Sequence, residues 1–389
     1  MDSKPGTAPS TRRDLLKTCL GAAAVMFAPI MGKGSPGPRP GKGKIPLVHT
    51  TDLYHPPQDP DDQIDLATVA ALDEFDLRGV VLDVSARFLE SAPEGFDIRR
   101  DPGFIPVVQL GYLLGRSIPV AAGPTRALAS PTDTARDLPD REQAGIRMLL
   151  EILDASPEPV VITVVGSARV ITAAFNREPE LMRRKTRAVV LNAGSTGGPK
   201  TEWNVGLDRH AFVGLWQSGL PVHWYPCGTE KSAFVRRHER GTYWKVSHEE
   251  LFHDLPQSLR AWFAYGFSGS PRADFIRALD DMGNGAEWES VLEGERNMWS
   301  TASLVMAAGR ILAKTPDGWR FVRPEAASGL DIWPWRLDPI SATVSADGMV
   351  QWELDEASKS RFIFGRQPDV EYGQAMAEAL NALLRGLPV

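Results

Sequence analysis

The chain has 389 residues, 43% of them hydrophobic and 24% charged, with a formal net charge of −6. That length holds one large domain or two ordinary ones, and the balance is that of a soluble globular protein. A net negative charge argues against a nucleic-acid-binding surface.

The N-terminal stretch "STRRDLLKTCLGAAAVMFAPIMG" carries Arg12 and Arg13, then Leu15, Leu16 and Lys17, then an apolar run. This resembles a twin-arginine export signal over residues 1–31, which makes the export machinery an expected partner. The apolar run is short for a membrane span. The expected destination is therefore periplasmic or extracellular, without an integral membrane anchor once the signal is removed. "GKGSPGPRPGKGK", residues 32–44, has the composition of a flexible linker. Without the signal only Cys227 remains, which excludes an intramolecular disulfide and a multi-cysteine zinc site. Residues 45–389 are expected to form a single domain.

From Ile45 the pattern alternates. "IPLVHTT" reads as a buried strand, and "DDQIDLATVAALDEF" has helical spacing through Ile64, Leu66, Ala67, Val69, Ala70 and Leu72. Strands are expected in "LRGVVLDVS", "SIPVAAG", "EPVVITVVG", "TRAVVLNAG" and "LPVHWYP". Helices are expected in "PGFIPVVQLGYLLGR", "REQAGIRMLLEILDAS", "SARVITAAFNREPELMRRK" and "DRHAFVGLWQSG". Continuous apolar strands between helices predict an α/β fold, a mostly parallel Rossmann-like sheet with helices on both faces. Residues 230–313 read as mainly helical. "ISATVSADGMVQWEL" reads as a hairpin turning at Asp347-Gly348, and "DVEYGQAMAEALNALLRGL" as a closing amphipathic helix.

Ligands of such folds bind outside the carboxyl ends of the strands. Asp52, Asp83, Gly166, Asn192–Ser195 and Pro226–Thr229 fall there. After Asp52, four more carboxylates follow within seven residues: Asp59, Asp61, Asp62 and Asp65. Two readings fit them. Asp59 as an N-cap, Pro60 in the first helical position, and Asp61 and Asp62 at the positive end of the helix dipole make an ordinary helix start. Alternatively, Asp52 and the first-turn carboxylates converge on a cation. All-oxygen ligands then favour Ca²⁺ or Mg²⁺.

This stretch resembles the opening of the inosine–uridine nucleoside hydrolase superfamily, a strand with an Asp-rich loop ending in Asp-Asp before a helix. "DPGFIPVVQLGYLLGRSIPVAAGPTRAL", "ITVVGSARVITAAFNREPELMRRK" and "AVVLNAGSTGGPKTEWNVGLDRHAFVGLWQSGLPVHWYP" follow in the matching order, over roughly residues 45–310. The resemblance implies hydrolysis of N-glycosidic bonds in ribonucleosides or related ribosides. It implies Ca²⁺ bound by Asp52, Asp62, a backbone carbonyl near Arg169, and Asn297, with Glu295 and Ser300 as other candidates for the last position. Asp52 would take the proton from the attacking water, and Asp61 would hydrogen-bond a ribose hydroxyl. Glu202 and Asn204 of "TEWN" would hold the remaining hydroxyls, their spacing suiting one face of an extended loop. Asp83 is a candidate for the pocket or for loop hydrogen bonding.

Glu202 and Asn204 equally suit a cap for a helix near Asp208, which itself reads as an N-cap. Trp203, Trp224 and Trp299 are candidates for a ligand pocket or for core. His55 and His223 read as packing or surface histidines. In "EGERNMWSTASLVMAAGR" the family's late His-Asp pair is replaced, with Arg296 and Asn297 in the matching register. An exported carbohydrate-binding or catalytically altered protein of the same fold is the alternative. A homo-oligomer is compatible with either.

Overall fold

The computed structural model describes residues 43–57, 61–86, 101–198 and 201–389. The expected signal segment, most of the linker, and Asp59 with Pro60 lie outside the described residues.

The central sheet has nine strands in the order β13-β12-β14-β6-β5-β4-β1-β2-β3. Its middle is β1 (Ile45–Thr51), β2 (Phe75–Leu82), β4 (Val160–Val164) and β5 (Thr186–Leu191), all mutually parallel. β3 (Val120–Ala122) and β6 (Val222–Trp224) extend it on either side. All five residues of β4 are buried, as the unbroken run Val-Val-Ile-Thr-Val requires. Neighbouring strand residues serve opposite faces. Leu47 joins a core with Ile64, Leu66, Trp262 and Leu380, while Val48 joins one with Ile162, Ile171, Leu215 and Ile363.

Helices α1 (Asp61–Ala71), α2 (Phe104–Leu113), α3 (Asp140–Ala155), α4 (Arg169–Arg177), α5 (Pro179–Lys185), α6 (Trp203–Leu207) and α7 (Arg209–Gln217) lie between the strands in sequence. Residues 230–313 depart from the mainly helical expectation. β7 (Trp244–Ser247) and β8 (Glu295–Met298) pair antiparallel, with Trp244 opposite Met298. Four-residue strands are too short for their alternation to stand out among the helices around them. Those helices are α8 (His248–Phe252), α9 (Gln257–Phe267), α10 (Ala286–Leu292) and α11 (Thr301–Ala307). β9 (Ile311–Thr315), β10 (Gly318–Val322) and β11 (Asp331–Ile332) form a separate three-stranded sheet that the sequence pattern did not suggest.

The hairpin is present as β12 (Trp335–Val344) and β13 (Val350–Leu354), with Gly348 at φ 85° in its turn. It is no appendage. β12 runs antiparallel to β14 (Arg361–Arg366), and β14 runs parallel to β6, so the hairpin extends the main sheet. The closing helix α12 (Tyr372–Arg385) buries Ala375, Met376, Leu380 and Leu384.

Candidate functional site

Backbone hydrogen bonds draw the carboxyl ends of the central strands into one rim. Val165 donates to the Thr50 carbonyl at 3.1 Å, Asp83 to Thr51 at 2.7 Å, and Asn192 to Val164 at 2.9 Å. Asp52 leaves β1 at this rim and packs on Gly166, just beyond β4. A Cβ on Gly166 would sit 2.8 Å from Asp52 Oδ1, so the glycine is what admits the carboxylate. Asp61 and Asp62 open α1 and are buried. The Thr51 hydroxyl donates to Asp62 Oδ1 at 2.7 Å, holding that carboxylate beside the strand end that carries Asp52.

A second group lies beneath. Asp83, at the end of β2, is 1% exposed. It accepts a hydrogen bond from the Ser167 hydroxyl, and its Oδ1 lies 3.6 Å from the Arg169 guanidinium. Arg169 is fully buried, pairs with Asp208 at 3.0 Å, and donates to the Pro124 carbonyl at 2.7 Å. Burial pushes the Asp83 carboxyl up to about 7. Arg169 and Ser167 oppose that shift, and the charges of Asp52 and Asp208 add to it.

Glu202 is the N-cap of α6. Its Oε1 accepts from Asn204 N at 3.1 Å, and its Oε2 from Gly194 N at 2.8 Å and Val205 N at 3.3 Å. Burial raises its pKa, against the pull of those backbone donors. Asn204 Nδ2 donates to the carbonyls of Val165 and Asn192, tying α6 to the ends of β4 and β5. The extended loop expected at Glu202–Asn204 is therefore corrected to the first turn of a short helix. Asp208 caps the next helix, as its sequence position suggests, accepting from Ala211 N at 2.9 Å. Cys227 lies buried past β6. Burial raises its thiol well above the ordinary range, and Glu202, Asp61 and Asp65 add to the effect, so these carboxylates share one neighbourhood.

The chain is similar to the pyrimidine-specific ribonucleoside hydrolase RihA of Citrobacter koseri, 27% identical over 198 residues, 46% of this chain and 58% of the relative. The purine-preferring ribonucleoside hydrolase from Gardnerella vaginalis superposes with a TM-score of 0.51 at 15% identity, over 87% of this chain and 99% of that one. The chain is similar in sequence to part of a ribonucleoside hydrolase and shares the fold of the nucleoside hydrolases. A second solved structure, the effector protein XOO4466, shares the fold with a TM-score of 0.50 at 15% identity, over 90% of this chain and 95% of that one. The chain spans less than two thirds of the length of the curated relatives it matches. No family profile matches.

For this nucleoside hydrolase-like chain, the donors at the rim suit Ca²⁺ in kind: Asp52 and Asp62 are hard oxygen ligands. Among the described residues, no group of three or more His, Cys, Asp or Glu side chains is arranged to hold a metal ion. The rest of a coordination sphere would have to come from carbonyl, hydroxyl or amide oxygens and water. The late segment carries two such groups. Asn297 lies on β8, not on a helix, and its Oδ1 accepts from the Tyr243 hydroxyl at 2.8 Å. Ser300 is buried and heads α11. Glu295 is exposed and paired with Lys245. The Arg169 side chain lies in a buried pair with Asp208 and Asp83, a partnership without a local signature in the sequence.

The aromatic candidates divide. Trp224 is core and donates to the Ala193 carbonyl. Trp203 is 50% exposed on α6. Trp299 meets Tyr243 at 5.4 Å and Phe234 at 5.6 Å. His55 is a packing histidine, stacked on Tyr265 at 4.8 Å and bonded to the Ser270 carbonyl. His223 meets the Phe362 ring edge-on at 5.3 Å. Among the described residues no helix is long and apolar enough to cross a membrane.

Proposed function

We propose that this chain hydrolyses the N-glycosidic bond of ribonucleosides or related ribosides, with Asp52 as the base for the attacking water. The observation that carries the reading is the carboxylate rim, with Asp62 fixed by Thr51 and Asp52 seated on Gly166. The activities of the relatives, pyrimidine-specific in one and purine-preferring in another, support the N-riboside class and leave the base open.

Asp52 and Asp62 would hold Ca²⁺, with the Arg169 carbonyl and the Asn297 amide oxygen or the Ser300 hydroxyl completing its protein ligands. Bound there, the ion would lower the pKa of water and neutralise the crowded carboxylates. Asp52 takes the proton as the water oxygen bonds to the anomeric carbon. The carbon–nitrogen bond breaks, and its electron pair leaves with the base, which takes up a proton. In this reading Asp61, Glu202 and the Asn204 amide oxygen serve the sugar, and Asp83 supports the rim from beneath through Ser167 and Arg169. Glu202 can both cap α6 and accept from a hydroxyl, because a carboxylate has about four acceptor sites.

The test is base release from uridine and inosine by the full chain, with and without EDTA and added Ca²⁺. Release that EDTA stops and Ca²⁺ restores supports the scheme. Riboside binding without release, in the presence of Ca²⁺, would refute hydrolysis and favour the ligand-binding alternative. Export through the twin-arginine route is a separate proposal, tested by Arg12→Lys with Arg13→Lys and fractionation of the cell.

A further inference from the structure

Asp208 makes more bonds than a helix cap needs. Its Oδ1 alone caps α7, accepting from Ala211 N at 2.9 Å. Its Oδ2 accepts from Arg169 Nε at 3.0 Å and from Leu128 N at 2.8 Å. Three segments therefore meet on one buried carboxylate: α7, the start of α4, and the loop that leaves β3. The Arg169 guanidinium widens the grip, donating to the Pro124 carbonyl at 2.7 Å and to the Leu207 carbonyl at 3.4 Å. Leu207 is the last residue of α6. Near the other end of α6, the Asn204 side chain reaches the Val165 and Asn192 carbonyls. Both ends of this short helix are thus fixed, one by an amide and one by a buried ion pair. Arg169 N also donates to Ser167 Oγ at 3.3 Å, so the first residue of α4 is held by main chain and side chain alike.

We infer that Asp208 is a positioning residue for the riboside site, acting through Arg169; this rests on the proposed function, in which the Arg169 carbonyl binds Ca²⁺ and α6 presents Glu202 and Asn204. The pair fixes the residue that offers that carbonyl against the end of α6, so the ion's ligand and the sugar's helix keep one spacing. A carboxylate suits the task because its two oxygens together have about four acceptor sites, and three are used here. Serine caps a helix about as well as aspartate does, but has no second oxygen for Arg169 and Leu128. Asparagine that kept the cap would turn its NH₂ toward two N–H donors.

The experiment titrates Ca²⁺ into the full chain by calorimetry at pH 7, with the fold of each variant checked by urea denaturation. Saturable binding by the wild type is expected. Asp208→Ser should weaken it by about 10–100-fold, the usual effect of removing a group that holds a metal ligand in place. Arg169→Met should weaken it alike, and the double variant no more than either single one, because the two act through one bond. Thr172→Val is the control. It removes a bond of 2.6 Å from α4 to the Ala211 carbonyl of α7 without touching the pair, and should leave the affinity unchanged. Wild-type affinity in Asp208→Ser, an equal loss in Thr172→Val, or additive losses in the double variant would overturn the role of Asp208 and leave the proposed function standing. Absence of Ca²⁺ binding by the wild type would overturn both. If Asp208→Ser does not fold, Asp208→Asn decides by the same criterion.

Discussion

Asp52 is defined by what surrounds it as much as by its own carboxylate. Asp52→Asn keeps the shape and removes the base, so base release should fall by ~10²–10⁴-fold with the melting temperature little changed. Gly166→Ala tests the seat. Its methyl would meet Asp52 Oδ1 at 2.8 Å, so the carboxylate must move. Base release should fall with it, and stability by about 1–3 kcal/mol, the cost of forcing volume into a packed site; urea denaturation beside the activity assay checks both. Activity at the wild-type level in Gly166→Ala would separate Asp52 from the reaction. His49 carries a pH prediction. It is fully buried in β1, bonded to the Thr163 hydroxyl, and burial lowers its pKa to about 3. The unfolded chain protonates this ring near the ordinary 6.5, so between pH 6.5 and 3 the unfolded state binds more protons. Stability is therefore full above pH 6.5 and falls as the pH drops toward 3. Urea midpoints at pH 7 and pH 4.5 should differ less in His49→Asn than in the wild type.

At the level of elements, α6 joins a structural task to a proposed chemical one. Glu202 caps it while lying at the rim. Aspartate is a better N-cap than glutamate but reaches less far. Glu202→Asp should hold stability within ~0.5 kcal/mol and raise the KM for a riboside about tenfold, the loss of a charged hydrogen bond. A KM that does not move would reduce Glu202 to a cap. This element also marks where the sequence stopped being legible. Strand ends could be located because apolar runs of β-branched residues announce parallel strands, and β1 matches its expected limits at Ile45 and Thr51. "TEWN" carries no such period. Whether Glu202 starts a helix or points from a loop depends on the Gly194 amide, which is brought to it only by the fold. The Arg169–Asp208 pair spans 39 positions, and such a partnership has no local signature. β7 and β8 are four residues each and meet across 48 to 54 positions, so they too needed tertiary contacts to appear.

Across the molecule, the C-terminal hairpin reaches the rim that the first half of the chain builds. Trp352 of β13 donates to the Thr196 carbonyl at 3.2 Å, in the loop that leads from β5 to Glu202. Gly348 in the hairpin turn approaches Val205 of α6, where a Cβ would come within 2.7 Å. Ser195 of the same loop bridges in parallel to Gly228, beyond β6. The loop that carries Glu202 is thus held from both sides, by the β6 end and by a strand more than 140 residues later, a separation the Trp352–Thr196 bond sets at 156. Trp352→Phe removes the indole donor and keeps an aromatic ring. It should lower stability by about 1 kcal/mol, the net value of one hydrogen bond, and loosen the 194–198 loop. The loosening is read as faster amide exchange at Gly194, whose N–H is held by Glu202. In the proposed reaction the KM for a riboside should rise while the effect of Asp52→Asn stays the same in the double variant, since Trp352 acts through the loop that carries Glu202 and Asp52 lies at the end of β1. Unchanged exchange at Gly194 would mean that the hairpin only extends the sheet, and that the β6 end alone orders the loop.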